Sequence, residues 1–209
     1  CSSDLTDRRS AERGAGTVEA AVEGALEAGA GLFQIRDKER SPRETHVLGM
    51  RLAERFDDAD ARFFVNGRAD LARCLGADGV HRPATGLPVD CLRNALPDGG
   101  LVAASTHGRG ELGDAAVSGA DFATLSPVFR SAAKPDYGPI LGLEQFEQMA
   151  GEVDIPVYAL AGVEPASVEA CLQAGAEGVA VMSGIMAADD PRAAARRYLD
   201  AIREAGSGA

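Results

Sequence analysis

Cysteine is scarce in this sequence. Cys1, Cys74, Cys91 and Cys171 are spread over 209 positions with no CxxC pair. A disulfide scaffold needs denser cysteine in a shorter chain, and a zinc site needs close ligand pairs, so both are excluded. Reduced thiols in a cytoplasmic protein are the expectation. Histidine is equally sparse: His46, His81 and His107 stand alone, which excludes an HExxH-type metal site. No apolar run approaches the roughly 20 residues that cross a bilayer, and the Arg- and Asp-rich stretch from Asp4 to Arg13 is unlike a signal peptide. Cations are outnumbered, 21 Lys and Arg against 32 Asp and Glu, for a net charge of −11. Nucleic acid and membrane surfaces, which need clustered Lys and Arg, are therefore not expected partners.

Lysine is the rarest cation. Lys38 and Lys134 are the two lysines, and every other positive side chain is arginine. Lysine is a compact point charge and arginine a planar fork, so the two fill different sites. The pair gains meaning only if both lysines fall in one place.

What is abundant is ordinary. Hydrophobic residues make up 45% and charged residues 25%, enough apolar mass for a core of one domain spanning 1–209. A short phrase recurs along it: an amphipathic stretch, Gly-Ala, one or two small or acidic residues, then an apolar run. It occurs at Gly29-Ala30, Gly76-Ala77, Gly119-Ala120 and Gly175-Ala176. Glycine after a helical pattern is the usual helix stop, and an apolar run of four to six residues after it reads as a buried strand. Further runs at Arg62 to Val65, Leu101 to Ala104 and Pro156 to Leu160, with a weak one near Leu5-Thr6, bring the strands to eight. Helical patterns such as Val18 to Ala28, Ser41 to Phe56, Leu143 to Ala150, Pro165 to Ala174 and Pro191 to Ala205 separate them.

Regular βα alternation implies parallel strands. An open doubly wound sheet should carry GxGxxG or a Walker loop after an early strand, and neither is present. The expected fold is therefore an α/β (β/α)8 TIM barrel. In such barrels the chemistry sits at the C-terminal strand ends. There the sequence offers Gln34, Arg36 and Lys38 after strand 2, Asn66 to Arg68 after strand 3 and His81 after strand 4. Ser105 and His107 follow strand 5, and strand 6 leads into a loop with Ser126, Ser131, Lys134, Asp136 and Tyr137. Gly162 and Ser183-Gly184 close strands 7 and 8. Both lysines thus fall at one end, where with Arg36 they form a positive centre suited to a phosphate or diphosphate. Small residues after strands 7 and 8 suit a second phosphate.

Several of these strings match a known family. Gln34-Ile35-Arg36-Asp37-Lys38, Val65-Asn66-Gly67-Arg68, Gly76-Ala77-Asp78-Gly79-Val80-His81, Ser105-Thr106-His107, Ser126-Pro127-Val128-Phe129 and Val181-Met182-Ser183-Gly184-Ile185 together resemble the thiamin phosphate synthase and TenI superfamily. The resemblance implies the same barrel. It also implies a transferase of thiamin biosynthesis that joins a hydroxymethyl aminopyrimidine diphosphate to thiazole phosphate, giving thiamin phosphate and pyrophosphate. It would give the diphosphate to Arg36, Lys38, Asn66 and Lys134, place Ser105 beside the leaving group, and give the thiazole phosphate to Gly162, Ser183 and Gly184, with Gln34 and Ser131 as further substrate-binding residues. Ser105, Lys134 and His107 would be the catalytic residues. The synthases carry two Mg2+-ligating aspartates where this chain has Gly67 and Gly86, so Mg2+ would be carried by the diphosphate and no protein metal ligand is expected. Two other readings belong to the same resemblance. One is a TenI-like thiazole tautomerase, whose acid/base histidine aligns with Ser126, leaving that task to His107. The other is a non-catalytic binder of thiazole or thiamin phosphate. The partners implied are small phosphorylated substrates, with a homodimer as the candidate assembly.

Overall fold

The structure, a computed structural model, describes residues 2–5 (backbone only), 11–12, 14–37, 39–131 and 138–207. Seven parallel strands form its curled sheet: β2 (Leu32–Ile35), β3 (Arg62–Asn66), β4 (Gly79–Arg82), β5 (Leu101–Thr106), β6 (Phe122–Leu125), β7 (Val157–Leu160) and β8 (Gly178–Val181). A short first strand, β1 (Ser2–Leu5), pairs in parallel with β2 on one side and β8 on the other. The expected α/β alternation with a parallel sheet is present, and the strands lie within a few residues of the apolar runs that pointed to them.

Helices return the chain between strands: α1 (Val18–Ala28), α2 (Pro42–Asp58), α3 (Ala69–Leu75), α4 (Val89–Ala95), α5 (Arg109–Val117), α6 (Gly142–Ala150), α7 (Val168–Gln173), α8 (Ser183–Met186) and α9 (Pro191–Gly206). Local chemistry sets their ends. Thr17 caps α1 by accepting from the Ala20 N–H at 3.1 Å, and Gly29 ends it in the left-handed region at φ 98°. Helix α2 opens with a Ser41/Glu44 capping box and Pro42 in its first turn.

The apolar residues divide into two clusters. A large one fills the space between sheet and helices, where Phe56 of α2 stacks on Phe33 and Phe63 at ring distances of 5.0 and 4.9 Å. A small one, Leu32, Phe64 and Ala103 with Leu101 and Phe122 against it, occupies the concave face of the sheet. Alternation along each strand produces this split: Phe63 and Val65 face the helices, while Phe64 and then Asn66 face inward. The inner aromatic layer is closed by edge contacts of Phe122 with Phe64 at 5.3 Å and with Tyr158 at 5.4 Å. This layer is the floor on which the polar residues stand.

Candidate active site

Two residues further up strands β2 to β6, the inward positions turn from apolar to polar. Gln34, Asn66, His81, Ser105 and Thr124 line a cavity of about 330 Å3 above the floor. The strands run slightly further than the apolar runs suggested, so these residues lie within β2 to β6 rather than in the loops after them. Side-chain hydrogen bonds knit the layer. Gln34 Nε2 donates to Asn66 Oδ1 at 2.8 Å, and His81 Nε2 lies 2.9 Å from Ser105 Oγ. Asn66 and His81 are register partners on β3 and β4, as are Ser105 and Thr124 on β5 and β6.

His81 is buried, and that burial, with the positive Arg36 nearby, lowers its pKa from 6.5 to about 4. Desolvation and a like charge both disfavour the imidazolium, so the ring is neutral at pH 7. The layer as a whole therefore carries no charge. It can offer donors and acceptors to an uncharged heteroaromatic ring without imposing a field on it.

Charge enters at the rim. Arg36 after β2 and Arg130 after β6 line the cavity mouth, together with Ser131. Asp37, beside Arg36, is turned away to Arg40 at 2.9 Å and to the Glu39 N–H at 3.0 Å, which orders the start of this loop. Lys38 and Lys134, with Asp136 and Tyr137, lie outside the described residues. His107 is half-buried at the mouth; its Nδ1 and backbone N–H lie 2.9 and 2.8 Å from Glu111 Oε2. His46 sits on α2, away from the cavity lining.

The opposite margin is built from backbone. Ala161 and Gly162 follow β7 with φ of 77° and 67°, consecutive left-handed residues, of which only the glycine adopts that region freely. The Val128 and Phe129 N–H groups hold them by donating to Leu160 and Ala161 carbonyls at 3.0 and 3.1 Å. A Cβ at Gly162 would come within 2.5 Å of the Arg130 carbonyl oxygen, so the β6 and β7 loops touch there. Ser183 and Gly184 complete this margin after β8. Tyr198 of α9 packs so closely on Gly184 that a Cβ there would collide with its hydroxyl, which donates to the Val163 carbonyl at 3.1 Å.

Of the site residues read from the sequence, Gln34, Arg36, Asn66, Ser105, His107, Ser131, Gly162, Ser183 and Gly184 all reach one cavity. Sequence reasoning missed Thr124, Arg130 and Tyr198. Thr124 was accessible to it, because alternation back from Ser126 points Thr124 and Phe122 inward; Tyr198 comes from a distant helix and carried no signal. Among the described residues, no cysteine lines the cavity. Cys74, Cys91 and Cys171 are free thiols, and burial pushes that of Cys171 up to about 11, which makes it inert.

The family model described as thiamine monophosphate synthase matches residues 5–185. The chain is similar to the thiamine-phosphate synthase of Haloarcula marismortui, 37% identical over 90% of each chain. It is also similar to that of Methanoculleus marisnigri, 40% identical over 85% of this chain and 84% of the relative. Among solved structures, a thiamine phosphate pyrophosphorylase from Pyrococcus furiosus superposes with a TM-score of 0.85. The two are 30% identical, and the match covers 98% of this chain and 96% of the other.

Proposed function

Because the chain belongs to the thiamine monophosphate synthase family, we propose that it couples a hydroxymethyl aminopyrimidine diphosphate to thiazole phosphate, releasing thiamin phosphate and pyrophosphate. The observation that carries this reading is the division of one cavity into a neutral polar floor, a cationic rim at Arg36 and Arg130, and a glycine- and serine-edged margin facing it. Two phosphorylated substrates need two anion sites, and a heteroaromatic ring needs an uncharged layer between them.

The bond that breaks joins the pyrimidine methylene carbon to the diphosphate oxygen, and pyrophosphate leaves with the electron pair. The bond that forms joins that carbon to the thiazole nitrogen. Arg36 with Asn66, and Lys38 and Lys134 as sequence candidates, hold the diphosphate and stabilise its growing charge. Ser105 stands beside the leaving group. The thiazole phosphate lies at Gly162, Ser183 and Gly184, where the missing side chains let it approach the backbone. A neutral His81 suits the chemistry, since an imidazolium there would oppose positive charge developing on the methylene carbon. Much of the acceleration is positional: the cavity brings nitrogen and carbon together and excludes water. The coupling moves no proton, so His107, tied to Glu111 at the mouth, acts by hydrogen bonding to the substrates rather than as an acid or base.

Mg2+, which the family resemblance implies, does not fit a protein-held site here. Among the described residues no three His, Cys, Asp or Glu side chains converge. Gly67 and Gly86 replace the carboxylates; Gly67 is left-handed at φ 66°, and a Cβ on Gly86 would lie 2.9 Å from the Pro83 carbonyl oxygen. The diphosphate is the carrier of any Mg2+. At the scale of the fold, the pairing of β1 with both β2 and β8 supports a closed (β/α)8 barrel in a single domain over 1–209.

Steady-state kinetics with each substrate varied in turn test the two-margin arrangement. Arg36→Ala is expected to raise KM for the pyrimidine diphosphate about tenfold to a hundredfold, the cost of a lost charged hydrogen bond, with little effect on thiazole phosphate. Ser183→Ala is expected to do the reverse, more weakly. Equal effects of each variant on both substrates would contradict separate anion sites.

A further inference from the structure

Thr124 carries a hydroxyl the protein does not use. Among the described residues, its Oγ1 is the buried side-chain polar atom without a hydrogen-bond partner. Thr124 is 1% exposed and lines the cavity. Its neighbours Ala123 and Leu125 face the helices, whereas Phe122 faces the floor, so alternation fixes the Thr124 side chain inward.

The surrounding groups are already satisfied among themselves. Ser105, its register partner on β5, has its hydroxyl 2.9 Å from His81 Nε2. Thr106 donates to the Thr124 backbone carbonyl at 3.0 Å, and Gln34 donates to Asn66. Two hydroxyls thus stand side by side on one face of adjacent strands, one engaged and one not. A buried hydroxyl without a partner destabilises the free protein, and valine would fill the same shape without that cost. The free fold therefore gives no reason for a hydroxyl at this position. A ligand in the cavity would give one.

We propose that Thr124 is a substrate-recognition residue whose Oγ1 hydrogen-bonds the aminopyrimidine ring of the diphosphate substrate. This deepens the synthase reading and rests on it. The pyrimidine ring presents an exocyclic amino donor and ring-nitrogen acceptors, and a hydroxyl can meet either. The thiazole ring presents sulfur and methyl groups, and its nitrogen is the atom that forms the new bond, which together leave a hydroxyl little to bind. The layer around Thr124 is uncharged, as a neutral ring requires, and lies below the rim where the diphosphate is held. A turn about χ1 between staggered positions presents the hydroxyl to the ring.

Two substitutions separate recognition from packing. Thr124→Val keeps the shape and removes the hydroxyl; Thr124→Ser keeps the hydroxyl and removes a methyl. Thr124→Val is expected to raise KM for the pyrimidine diphosphate about tenfold or more, as a recognition site with a lost hydrogen bond does. KM for thiazole phosphate should stay within about twofold, and the substrate-free variant should melt no lower than the wild type. Thr124→Ser should restore most of the pyrimidine KM. An unchanged pyrimidine KM in Thr124→Val, a rise shared equally by both substrates, or failure of serine to restore it overturns the inference. Absence of turnover in the wild type overturns the synthase reading and the inference with it, so the two failures are distinguishable.

Discussion

His81 shows what burial does to a single titratable side chain. In an unfolded chain its imidazole takes up a proton near pH 6.5, whereas in the fold it stays neutral down to about 4 because it is desolvated and lies near Arg36. Between those values the unfolded state binds more protons, so stability rises with pH across the window and falls as pH drops from 6.5 to 4. His81→Gln removes that contribution. Melting temperatures measured from pH 4 to 7 should climb less steeply for the variant than for the wild type; parallel curves would mean that His81 does not contribute. From sequence, His81 could be read as a structural residue or as an acid or base, because a lone histidine at a strand end carries no record of its burial. The neighbours that decide the matter, Arg36 after β2 and Ser105 on β5, come from elsewhere in the chain.

At the scale of elements, the recurring Gly-Ala phrase acquires a physical reason. The glycine ends a helix: Gly29 and Gly76 stand in the left-handed region at the ends of α1 and α3. The acid that follows does a separate job. Asp78, before β4, accepts the backbone N–H of Phe63 on β3 at 2.9 Å, and Asp121, before β6, accepts that of Val102 on β5 at 2.7 Å. Each aspartate also donates its own N–H to the same residue's carbonyl, so each begins a strand by clasping its neighbour. Arg93 of α4 holds the Asp121 carboxylate from the other side at 2.7 Å. Asp121→Ala leaves the Val102 N–H without its acceptor, a loss of about 1–3 kcal/mol. That loss should lower the melting temperature by several degrees, with KM for both substrates unchanged because the clasp lies at the strand starts, opposite the cavity. A change in either KM would show that the two ends of the sheet are coupled. Element positions were largely legible in the sequence, since helix stops and apolar runs are local signals. The clasps were not: the acid was visible, but its partner lies 15 or 19 residues away on another strand.

For the whole molecule, one principle explains why much of the site could be read in advance. A parallel βα sheet sends every strand end to the same side, so residues such as Gln34, Asn66, Ser105 and Gly162, scattered over the chain, become neighbours by topology alone. What topology does not supply is the depth at which each side chain sits. The strands continue one or two residues past the apolar runs, and this makes Gln34, Asn66 and His81 part of a strand-borne layer rather than of loops. The protein also has a net charge of −11 yet places arginines at the cavity rim, so its binding of anionic substrates depends on local charge rather than on the field of the whole surface.

A cavity that joins two phosphorylated rings must release two products. The most direct measurement supplies purified protein with both substrates and Mg2+ and quantifies thiamin phosphate and pyrophosphate together. The expected result is equal amounts of the two products, formed only when both substrates are present. No product at high protein concentration, alongside tight binding of thiamin phosphate, would contradict it and make the cavity a binding site without catalysis.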